Sequence, residues 1–214
     1  FKFKVWDYSS SQLLDCTVTY NDLMPNQQYF SPNGISSITE GREYIPITSQ
    51  EIQLPEGWSI FSTYLNLENM DVSVALNPIQ EQLVIVKDYL GMAYLLEWNY
   101  NGIGDIILGH AYQVKVNQET VLEFEGDYTS PNEVSIVLPV GWSLLGYLSL
   151  NPADCVSVFD AISSEIVLVK DYLGNAYLPN WNFNGIGDLE AGKGYQIKMN
   201  SSQILQYNSN EAGY

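Results

Sequence analysis

Two aromatic pairs recur in this chain at the same spacing and could bind a ligand. Trp98 is followed two residues later by Tyr100, and Trp181 is followed two residues later by Phe183. Exposed on a β-sheet, these rings would form a platform on which a sugar ring could stack. Aromatic side chains in a small β-barrel more often belong to the core. We therefore favour burial for Trp98 and Trp181 and keep glycan binding as the alternative.

Several aspartates are candidate calcium ligands, although no cofactor is required by the sequence. The segment Asn-Gly-Ile-Gly-Asp occurs at 101–105 and again at 184–188. Its closely spaced side-chain and backbone oxygens suit calcium. Two more aspartates lie in predicted hairpin turns beside a lysine. The candidate ligands are Asp105, Asp188, Asp88 and Asp171.

A structural role for the same segments is the reading we favour, because they lack the alternating acidic ladder of calcium loops. Gly102 and Gly104 would adopt positive φ angles in a turn, and Asp105 and Asp188 would accept hydrogen bonds from nearby backbone amides. Asp88 and its counterpart would likewise stabilise a turn.

Nucleophilic catalysis has few residues available in this sequence. His110 is the only histidine, and we expect it to be an ordinary surface residue on a turn after Gly109. No Ser-His or Cys-His grouping is recognisable, and no glycine-rich phosphate motif precedes a helix. Paired carboxylates of the glycosidase type could still meet in space. We expect a protein that is not an enzyme.

Composition indicates a folded, acidic protein. The 214 residues include 25 Asp and Glu against 8 Lys and Arg, which gives a formal charge of -17. Hydrophobic residues make up 46% and aromatic residues 13% of the chain, too much buriable surface for a disordered segment. The basic residues form no cluster along the sequence, so nucleic acid is a poor partner. No apolar run is long enough for a membrane helix, and the start lacks a signal peptide, so we expect a mature protein or a fragment.

The chain contains an internal duplication. Leu-Pro-Glu-Gly-Trp-Ser at 54–59 returns as Leu-Pro-Val-Gly-Trp-Ser at 138–143, and the segment 86–91 returns at 169–174. Two copies are fewer than solenoid stacking usually needs. We therefore predict two modules with separate cores, at 50–130 and 131–214, after a different segment at 1–49.

Strand patterns dominate each copy, and we predict an all-β fold of two tandem antiparallel β-barrel or sandwich modules with about six strands and one short helix each. The run Leu83–Val86 predicts a strand buried on both faces. Asp88–Gly91 predicts a hairpin turn leading to a strand at 93–95. Trp58 and Trp142, each after a glycine, are predicted to be core residues. The remaining predicted strands of the first copy contain Ile52 and Leu54, Trp58 to Phe61, Tyr112 to Val116, and Val121 to Phe124.

One helix per copy is predicted from capping residues and spacing. In the second copy, Asn151 suits the N-cap, Pro152 the first helical position and Asp154 the first turn. The apolar residues at helical spacing are Val156, Phe159 and Ile162. The first copy has a weaker version with Asp71, Val74 and Pro78, the last of which should end the turn.

Residues 1–49 read as a partial β segment. Alternating apolar residues predict strands around Phe3 and over 14–20, a polar loop follows at 21–34, and a short strand is predicted at 35–38. Three strands bury too little surface to be stable alone. We expect this segment either to be the tail of an upstream domain or to complete its sheet by strand exchange with another copy, as in a fibre.

Cysteine usage leaves the redox compartment open. Cys16 and Cys155 lie in different predicted modules, and no metal-binding spacing is present. Two free thiols are slightly favoured over a disulfide bridge, which would require an oxidising compartment.

The motifs of both copies together resemble a known type of module. They are Phe-Lys-Val-Trp-Asp at 3–7, Pro-Asn-Gly-Ile at 32–35, and paired copies of Leu-Pro-x-Gly-Trp-Ser, Val-Lys-Asp-x-x-Gly-x-Ala-Tyr-Leu, Trp-Asn-Tyr/Phe-Asn-Gly-Ile-Gly-Asp and Gly-x-x-Tyr-Gln-x-Lys. This series resembles tandem β modules near the C-termini of large secreted surface proteins of Bacteroidota that use the type IX export system. The resemblance implies an extracellular, non-catalytic β module cut from a longer protein.

The leading functional hypothesis is a structural or adhesive module at the cell surface, with other copies of itself or neighbouring surface domains as partners. It includes the prospect of a fibre or filament subunit. The alternative is a carbohydrate-binding module attached to a secreted enzyme, with Trp98, Tyr100, Trp181 and Phe183 as the contact residues.

Overall fold

The computed structural model describes residues 3–7, 12–20, 23, 38–43 and 47–207. The chain divides into two compact units, Phe1–Pro46 and Ile47–Tyr214. The described residues consist mainly of strands and short connections, and their helices are short. The prediction of an all-β class is confirmed. No helix among the described residues is long and apolar enough to cross a membrane.

The first unit contains a three-stranded antiparallel sheet of β1 (Phe3–Asp7), β2 (Gln12–Tyr20) and β3 (Ile38–Glu43), in the order β1-β2-β3. The two predicted strands in the first 20 residues are thus confirmed. Most of the predicted loop at 21–34 and the predicted strand at 35–37 lie outside the described residues. Within the described part, β2 is paired on both sides, and β1 and β3 form the sheet edges. Strand exchange stays a prediction.

The first copy of the repeat, together with the strand that precedes it, contains eight strands. They are β4 (Ile47–Leu54), β5 (Gly57–Phe61), β6 (Leu65–Leu67), β7 (Leu83–Lys87), β8 (Ala93–Leu95), β9 (Tyr100–Asn101), β10 (Tyr112–Val116) and β11 (Thr120–Tyr128). The helix α1 (Val72–Ala75) and the 3₁₀ helices Asn77–Ile79 and Leu96–Trp98 connect them. Pro78 lies at the start of a 3₁₀ helix, where its missing N–H is harmless.

The second copy contains nine strands, some of only two residues. They are β12 (Ser135–Leu138), β13 (Gly141–Gly146), β14 (Ala153–Asp154), β15 (Ile166–Lys170), β16 (Ala176–Leu178), β17 (Phe183–Asn184), β18 (Asp188–Leu189), β19 (Gly194–Met199) and β20 (Gln203–Gln206). The helix α2 (Cys155–Phe159) lies between β14 and β15, and the 3₁₀ helices are Pro131–Glu133, Asp160–Glu165 and Pro179–Trp181. The expected six strands per copy were too few.

Two five-stranded antiparallel sheets have the same strand order. One runs β5-β10-β7-β8-β9 and the other β13-β19-β15-β16-β17, and the strands correspond one to one in the sequence repeat. A three-stranded sheet, β4-β11-β6, and the pairs β12-β20 and β14-β18 accompany them. One continuous cluster of buried residues includes side chains of both copies. That 50–130 and 131–214 are separable domains stays a prediction.

The hairpin of β7 and β8 forms as predicted, with Val86 opposite Tyr94. β7 is not buried on both faces, however. Leu83 and Val86 point into the core, while Val84 is exposed. One face of this sheet therefore covers the core. The other face carries exposed residues and is buried at Ile60, which clusters with Ala111 and with Leu144 of the second copy.

The helix α2 begins later than the sequence suggested. Its N-cap is Asp154, whose carboxylate accepts a hydrogen bond from the Ser157 N–H at 3.0 Å. The assignment of Asn151 as the N-cap is wrong. The reason is tertiary, because Ala153 and Asp154 pair with Asp188 and Leu189 as β14 and β18, which keeps the chain extended until Cys155. In the first copy, the corresponding Asp71 caps α1, and its carboxylate accepts a hydrogen bond from the Ser73 N–H at 2.8 Å.

The two copies meet through reciprocal backbone contacts. Phe61 forms a β-bridge with Lys193, and His110 forms one with Leu145. In the repeat alignment Phe61 corresponds to Leu145, and His110 corresponds to Lys193. Exchanging the two copies therefore converts one bridge into the other, as in an isologous two-fold interface. We call these two bridges and the hydrogen bonds beside them the junction.

Two matching hydrogen bonds close the junction. The Ser62 N–H donates to the Gly192 carbonyl at 3.0 Å, and the Gly146 N–H donates to the Gly109 carbonyl at 2.9 Å. These donors and acceptors also correspond in the repeat. The approximate two-fold relation therefore holds at the level of single backbone groups.

Candidate functional site

The two predicted aromatic pairs lie on the surface. Trp98 and Trp181 are 76% and 78% exposed, and Tyr100 and Phe183 are 48% and 52% exposed. The expectation that both tryptophans belong to the core is wrong. We call Trp98 with Tyr100, and Trp181 with Phe183, the aromatic platforms. Their role in ligand binding stays a prediction.

Backbone geometry presents each tryptophan at the surface. Trp98 ends a single-turn 3₁₀ helix, and Asn99 follows it in the left-handed conformation with φ 48°. The Asn99 N–H donates to the Leu96 carbonyl at 3.0 Å. Asn182 follows Trp181 in the same way with φ 51°. Asparagine tolerates this region better than most residues, and within the described ranges no other non-glycine residue adopts it.

The second ring of each platform lies over a glycine. A Cβ added at Gly102 would lie 2.6 Å from the Tyr100 hydroxyl oxygen, and one at Gly185 would lie 3.0 Å from the Phe183 ring. Any side chain at these positions would displace the ring. We expected positive φ at both Gly102 and Gly104, but only Gly104 has it, at 77°. Gly102 is therefore required because the Tyr100 side chain packs against it, and not because of its backbone conformation.

The Asn-Gly-Ile-Gly-Asp loops are held by their asparagines. The Asn101 Oδ1 accepts hydrogen bonds from the N–H groups of Ile103 at 3.1 Å and Gly104 at 2.9 Å. Asn184 makes the equivalent pair of bonds. The expectation that Asp105 fills this role is wrong, because the first residue of the loop is the one that reaches both amides, as in an Asx turn.

The loop aspartates instead lie opposite the helix caps. Asp105 forms a β-bridge with Asp71, and Asp188 pairs with Asp154. A hydrogen bond from the Ser73 hydroxyl lowers the pKa of Asp71. Within the part of the chain that the structure describes, no group of three or more His, Cys, Asp or Glu side chains is arranged to hold a metal ion. Calcium binding at Asp105 and Asp188 stays a prediction.

The other two candidate calcium ligands close hairpin turns. The Asp88 Oδ1 accepts hydrogen bonds from the N–H groups of Leu90 at 2.9 Å and Met92 at 2.8 Å. The Asp171 Oδ1 accepts one from the Asn175 N–H at 2.8 Å. Both carboxylates thus serve the turn between two strands, as the structural reading predicts.

Two clefts lie where the hairpin turn of one copy faces the first sheet strand of the other. The first has a volume of about 310 Å³ and the second about 380 Å³. The first is lined by Lys87, Tyr89 and Gln113 together with Trp142, Leu144 and Gln196. The second is lined by Lys170, Tyr172 and Gln196 together with Trp58, Ile60 and Gln113. These two sets correspond residue by residue in the repeat.

Lysines surround the cleft tryptophans. The Lys87 Nζ lies 5.4 Å from the centre of the Trp58 ring, and the Lys170 and Lys198 Nζ atoms lie 5.1 and 5.7 Å from that of Trp142. Such distances are typical of cation–π contacts. Both tryptophans are 46% exposed, so the prediction that they are core residues is wrong. They extend from the solvent face of their strands.

His110 lies at the junction and is not an ordinary surface residue. Its ring packs edge-on against Tyr89, with 5.9 Å between ring centres. Burial lowers the pKa of His110, and the nearby charge of Asp88 partly opposes this effect. The histidine therefore favours its neutral form, as suits a residue enclosed between two packed elements.

No protein-family profile matches the chain, and neither a curated protein nor a solved structure matches it. The resemblance to modules of secreted surface proteins therefore stays a prediction.

Sequence reasoning missed the clefts because each is built from both copies. A signal was nevertheless present in the repeat. Polar residues are retained on the solvent face of the sheets at equivalent places, namely Lys87 and Lys170, Gln113 and Gln196, and Lys115 and Lys198. The core does not require these side chains, so their duplication points to a property of the surface.

Proposed function

We propose that this protein is a non-catalytic adhesive module of an extracellular surface and that it binds glycans through the aromatic platforms. The observation that carries the proposal is the exposure of Trp98 and Trp181 at equivalent positions of the two copies. A flat indole face can stack on the apolar face of a sugar ring, while the indole N–H remains free to donate a hydrogen bond.

Exposing Trp98 and Trp181 to solvent has an energetic cost in both copies. Burying a large apolar side chain stabilises a protein by about 1.5 to 3 kcal/mol, and this fold buries other large aromatic residues, including Tyr112, Tyr147 and Tyr195. Each platform is also fixed by an asparagine in a conformation that L residues rarely adopt. Such features concentrate at functional sites, and they support a role for the platforms in binding.

A non-catalytic role agrees with the position of the single histidine. His110 packs against Tyr89 and is shifted towards its neutral form by burial. The extracellular assignment rests on the sequence resemblance alone.

The test is a glycan array probed with the wild-type protein and with the double variant Trp98→Ala/Trp181→Ala. We expect reproducible binding to at least one class of neutral saccharide, and loss of that binding in the double variant. Each single variant should weaken binding to a densely coated surface by about 100-fold or more, because one remaining platform cannot bind bivalently.

The control is Ile107→Ala/Val140→Ala, which removes from each copy one exposed apolar side chain that is not part of a platform. This variant should bind like the wild type. The proposal is wrong if the wild-type protein binds no saccharide, or if the platform variant and the control bind equally.

A further inference from the structure

We infer that the two clefts form a second pair of binding sites, which take an anionic sugar unit, one bearing a carboxylate or a sulfate. This inference goes beyond the proposed function, because it concerns different residues and a different ligand chemistry. Charge, ring chemistry and duplication of the cleft residues support it.

The distribution of positive charge favours an anionic ligand. The chain has a formal charge of -17 and only 8 Lys and Arg, yet four of these lie on the solvent face of the two large sheets. Two line the clefts, and two lie directly across from a cleft tryptophan in strand register. These lysines are Lys87, Lys170, Lys115 and Lys198. In a strongly acidic protein, this gathering of cations attracts anions to one place.

The cleft lysines also lack acidic partners. Among the described residues, an ion pair is formed by Lys193 with Glu190, at 2.7 Å, whereas Lys87 and Lys170 form none. Their ammonium groups rest on tryptophan rings and keep hydrogen-bonding capacity for a ligand. Asp88 and Asp171 also line the clefts, one in each, and their carboxylates accept hydrogen bonds from the backbone of their own turns.

The cleft lining suits a sugar ring. Trp58 and Trp142 each offer a half-exposed indole, and the amides of Gln113 and Gln196 can donate to and accept from hydroxyl groups. The volumes of about 310 and 380 Å³ lie at the lower end of the range of about 300 to 1,000 Å³ that is typical of small-molecule sites. A lysine next to an aromatic ring and an amide can bind the acidic group, the apolar face and a hydroxyl of one sugar unit.

The two clefts are built from duplicated residues. Every residue that lines the first cleft has its repeat counterpart in the second, with Ile60 in place of Leu144, and the second is also lined by Lys87 and Leu173. Gln113, Gln196 and Lys87 line both clefts. The clefts are therefore adjacent on one face. Since each contains residues of both copies, neither copy alone contains a complete cleft. A saccharide with several acidic units could contact both clefts at once.

The experiment is a calorimetric titration of the full chain with four probes of equal length. They are tetragalacturonate, whose acidic groups are carboxylates alone, a κ-carrageenan tetrasaccharide, whose acidic groups are sulfates alone, neutral cellotetraose and tetraglutamate. We expect at least one acidic saccharide to bind, with weaker binding at higher salt, and the two acidic saccharides to distinguish carboxylate from sulfate. Cellotetraose and tetraglutamate should not compete for the clefts.

Removing the positive charges of Lys87 and Lys170 tests whether these residues bind the acidic saccharide. Lys87→Gln/Lys170→Gln should weaken binding of the acidic saccharide by about 10-fold to 100-fold. The matched control Lys193→Gln removes one exposed lysine outside the clefts and should bind like the wild type. Trp98→Ala/Trp181→Ala should also bind the acidic saccharide normally, so that failure of the platform proposal and failure of the cleft inference give different results.

A second readout does not depend on variants. Acetylation of lysines by a soluble reagent, followed by mass spectrometry, should show protection of Lys87 and Lys170 by the bound acidic saccharide, and no protection of Lys193. The inference is overturned if neither acidic saccharide binds, if the lysine variant and its control bind equally, or if tetraglutamate binds as well as the saccharides.

Discussion

Tyrosines at equivalent positions of the two copies have the same surroundings. The Tyr112 hydroxyl oxygen accepts a hydrogen bond from the Ile107 N–H at 2.9 Å, and the Tyr195 hydroxyl oxygen accepts one from the Glu190 N–H at 2.9 Å. Burial raises the pKa of both hydroxyls. Each tyrosine therefore fixes a loop of its own copy from inside the core, which explains why its ring is buried while other aromatic residues are exposed.

Cys155 differs chemically from its counterpart, although both are fully buried. It is a free thiol and corresponds to Val72 in the first copy, in agreement with the prediction of an unbridged cysteine there; the side chain of Cys16 lies outside the described part. Burial, with a smaller contribution from the Asp154 charge, raises the pKa of the Cys155 thiol to about 12.

The raised pKa of Cys155 predicts a loss of stability at alkaline pH. Below the ordinary thiol pKa, Cys155 is protonated in both the folded and the unfolded chain, and its full contribution to stability is present. As the pH rises from about 9 towards 12, the unfolded chain releases the proton while the folded chain retains it, so stability falls. At about pH 10 the loss is about 1 to 2 kcal/mol. Cys155→Val should remove this loss.

The measurement is urea unfolding at about pH 8 and about pH 10 for the wild type and for Cys155→Val. Buried tyrosines titrate in both proteins, so the difference between them isolates the thiol. An equal loss of unfolding free energy in the two proteins would contradict the assignment.

At the scale of elements, the positions of short helices are set by contacts with other parts of the chain. The helix α2 has only five residues, too few for intrinsic helix stability. Its start is set by the pairing of β14 with β18, and the Asp154 carboxylate also accepts a hydrogen bond from Asn184 Nδ2 at 3.2 Å. One aspartate thus connects a helix, a strand pair and a loop.

The position of the helix cap gives a test at this scale. Asp154→Ala should lower the free energy of unfolding by about 1 kcal/mol, because the cap of α2 is lost. Asn151→Ala is the control and should change it by less than about 0.5 kcal/mol, since the backbone carbonyl of Asn151, and not its side chain, accepts the hydrogen bond from Tyr147. Urea denaturation measures both. A larger loss of unfolding free energy in Asn151→Ala than in Asp154→Ala would instead identify Asn151 as the cap.

The whole second unit depends on close backbone approach at the junction. A Cβ at Gly194 would collide with the Ala111 Cβ and lie 2.5 Å from the Ile60 Cγ2. One at Gly146 would lie 2.5 Å from the His110 carbonyl oxygen. Glycine is therefore required on the second-copy side of the junction, so that the two sheets can approach each other and form the clefts.

Overpacking the junction should destabilise the unit and the clefts together. We expect Gly194→Ala to cost about 1 to 3 kcal/mol and to weaken binding of an acidic saccharide in the clefts. Gly185→Ala is the control for a glycine away from the junction, where the added Cβ meets mainly the movable Phe183 ring. Chemical denaturation gives the stability difference. Equal stability of Gly194→Ala and the wild type would contradict the close packing.

Net charge leads to a prediction for the molecule as a whole. At -17, self-repulsion weakens the compact state and salt screens it, so the melting temperature should rise with added sodium chloride. Calcium chloride at matched ionic strength is the comparison, and an equal rise would reduce the effect of calcium to screening. A larger rise with calcium that disappears in Asp105→Asn/Asp188→Asn would establish a calcium site.

Local patterns in the sequence determined the strands and turns. The alternation in Tyr112 to Val116 and the turn at Asp88–Gly91 depend on neighbours a few residues away, and both form as predicted. The repeat likewise indicated two sheets of matching order. These features are readable because backbone conformation and the period of side-chain orientation are local properties.

Tertiary structure alone decided which face of each strand is covered. Trp58 and Trp142 follow a core-like pattern but point to the solvent face, and Lys87 lies far along the chain from Trp142 yet lines the same cleft. Burial depends on what another element presents opposite a residue, which its own neighbours in sequence do not specify. The junction supplies that element here, and with it the clefts, which neither copy contains alone.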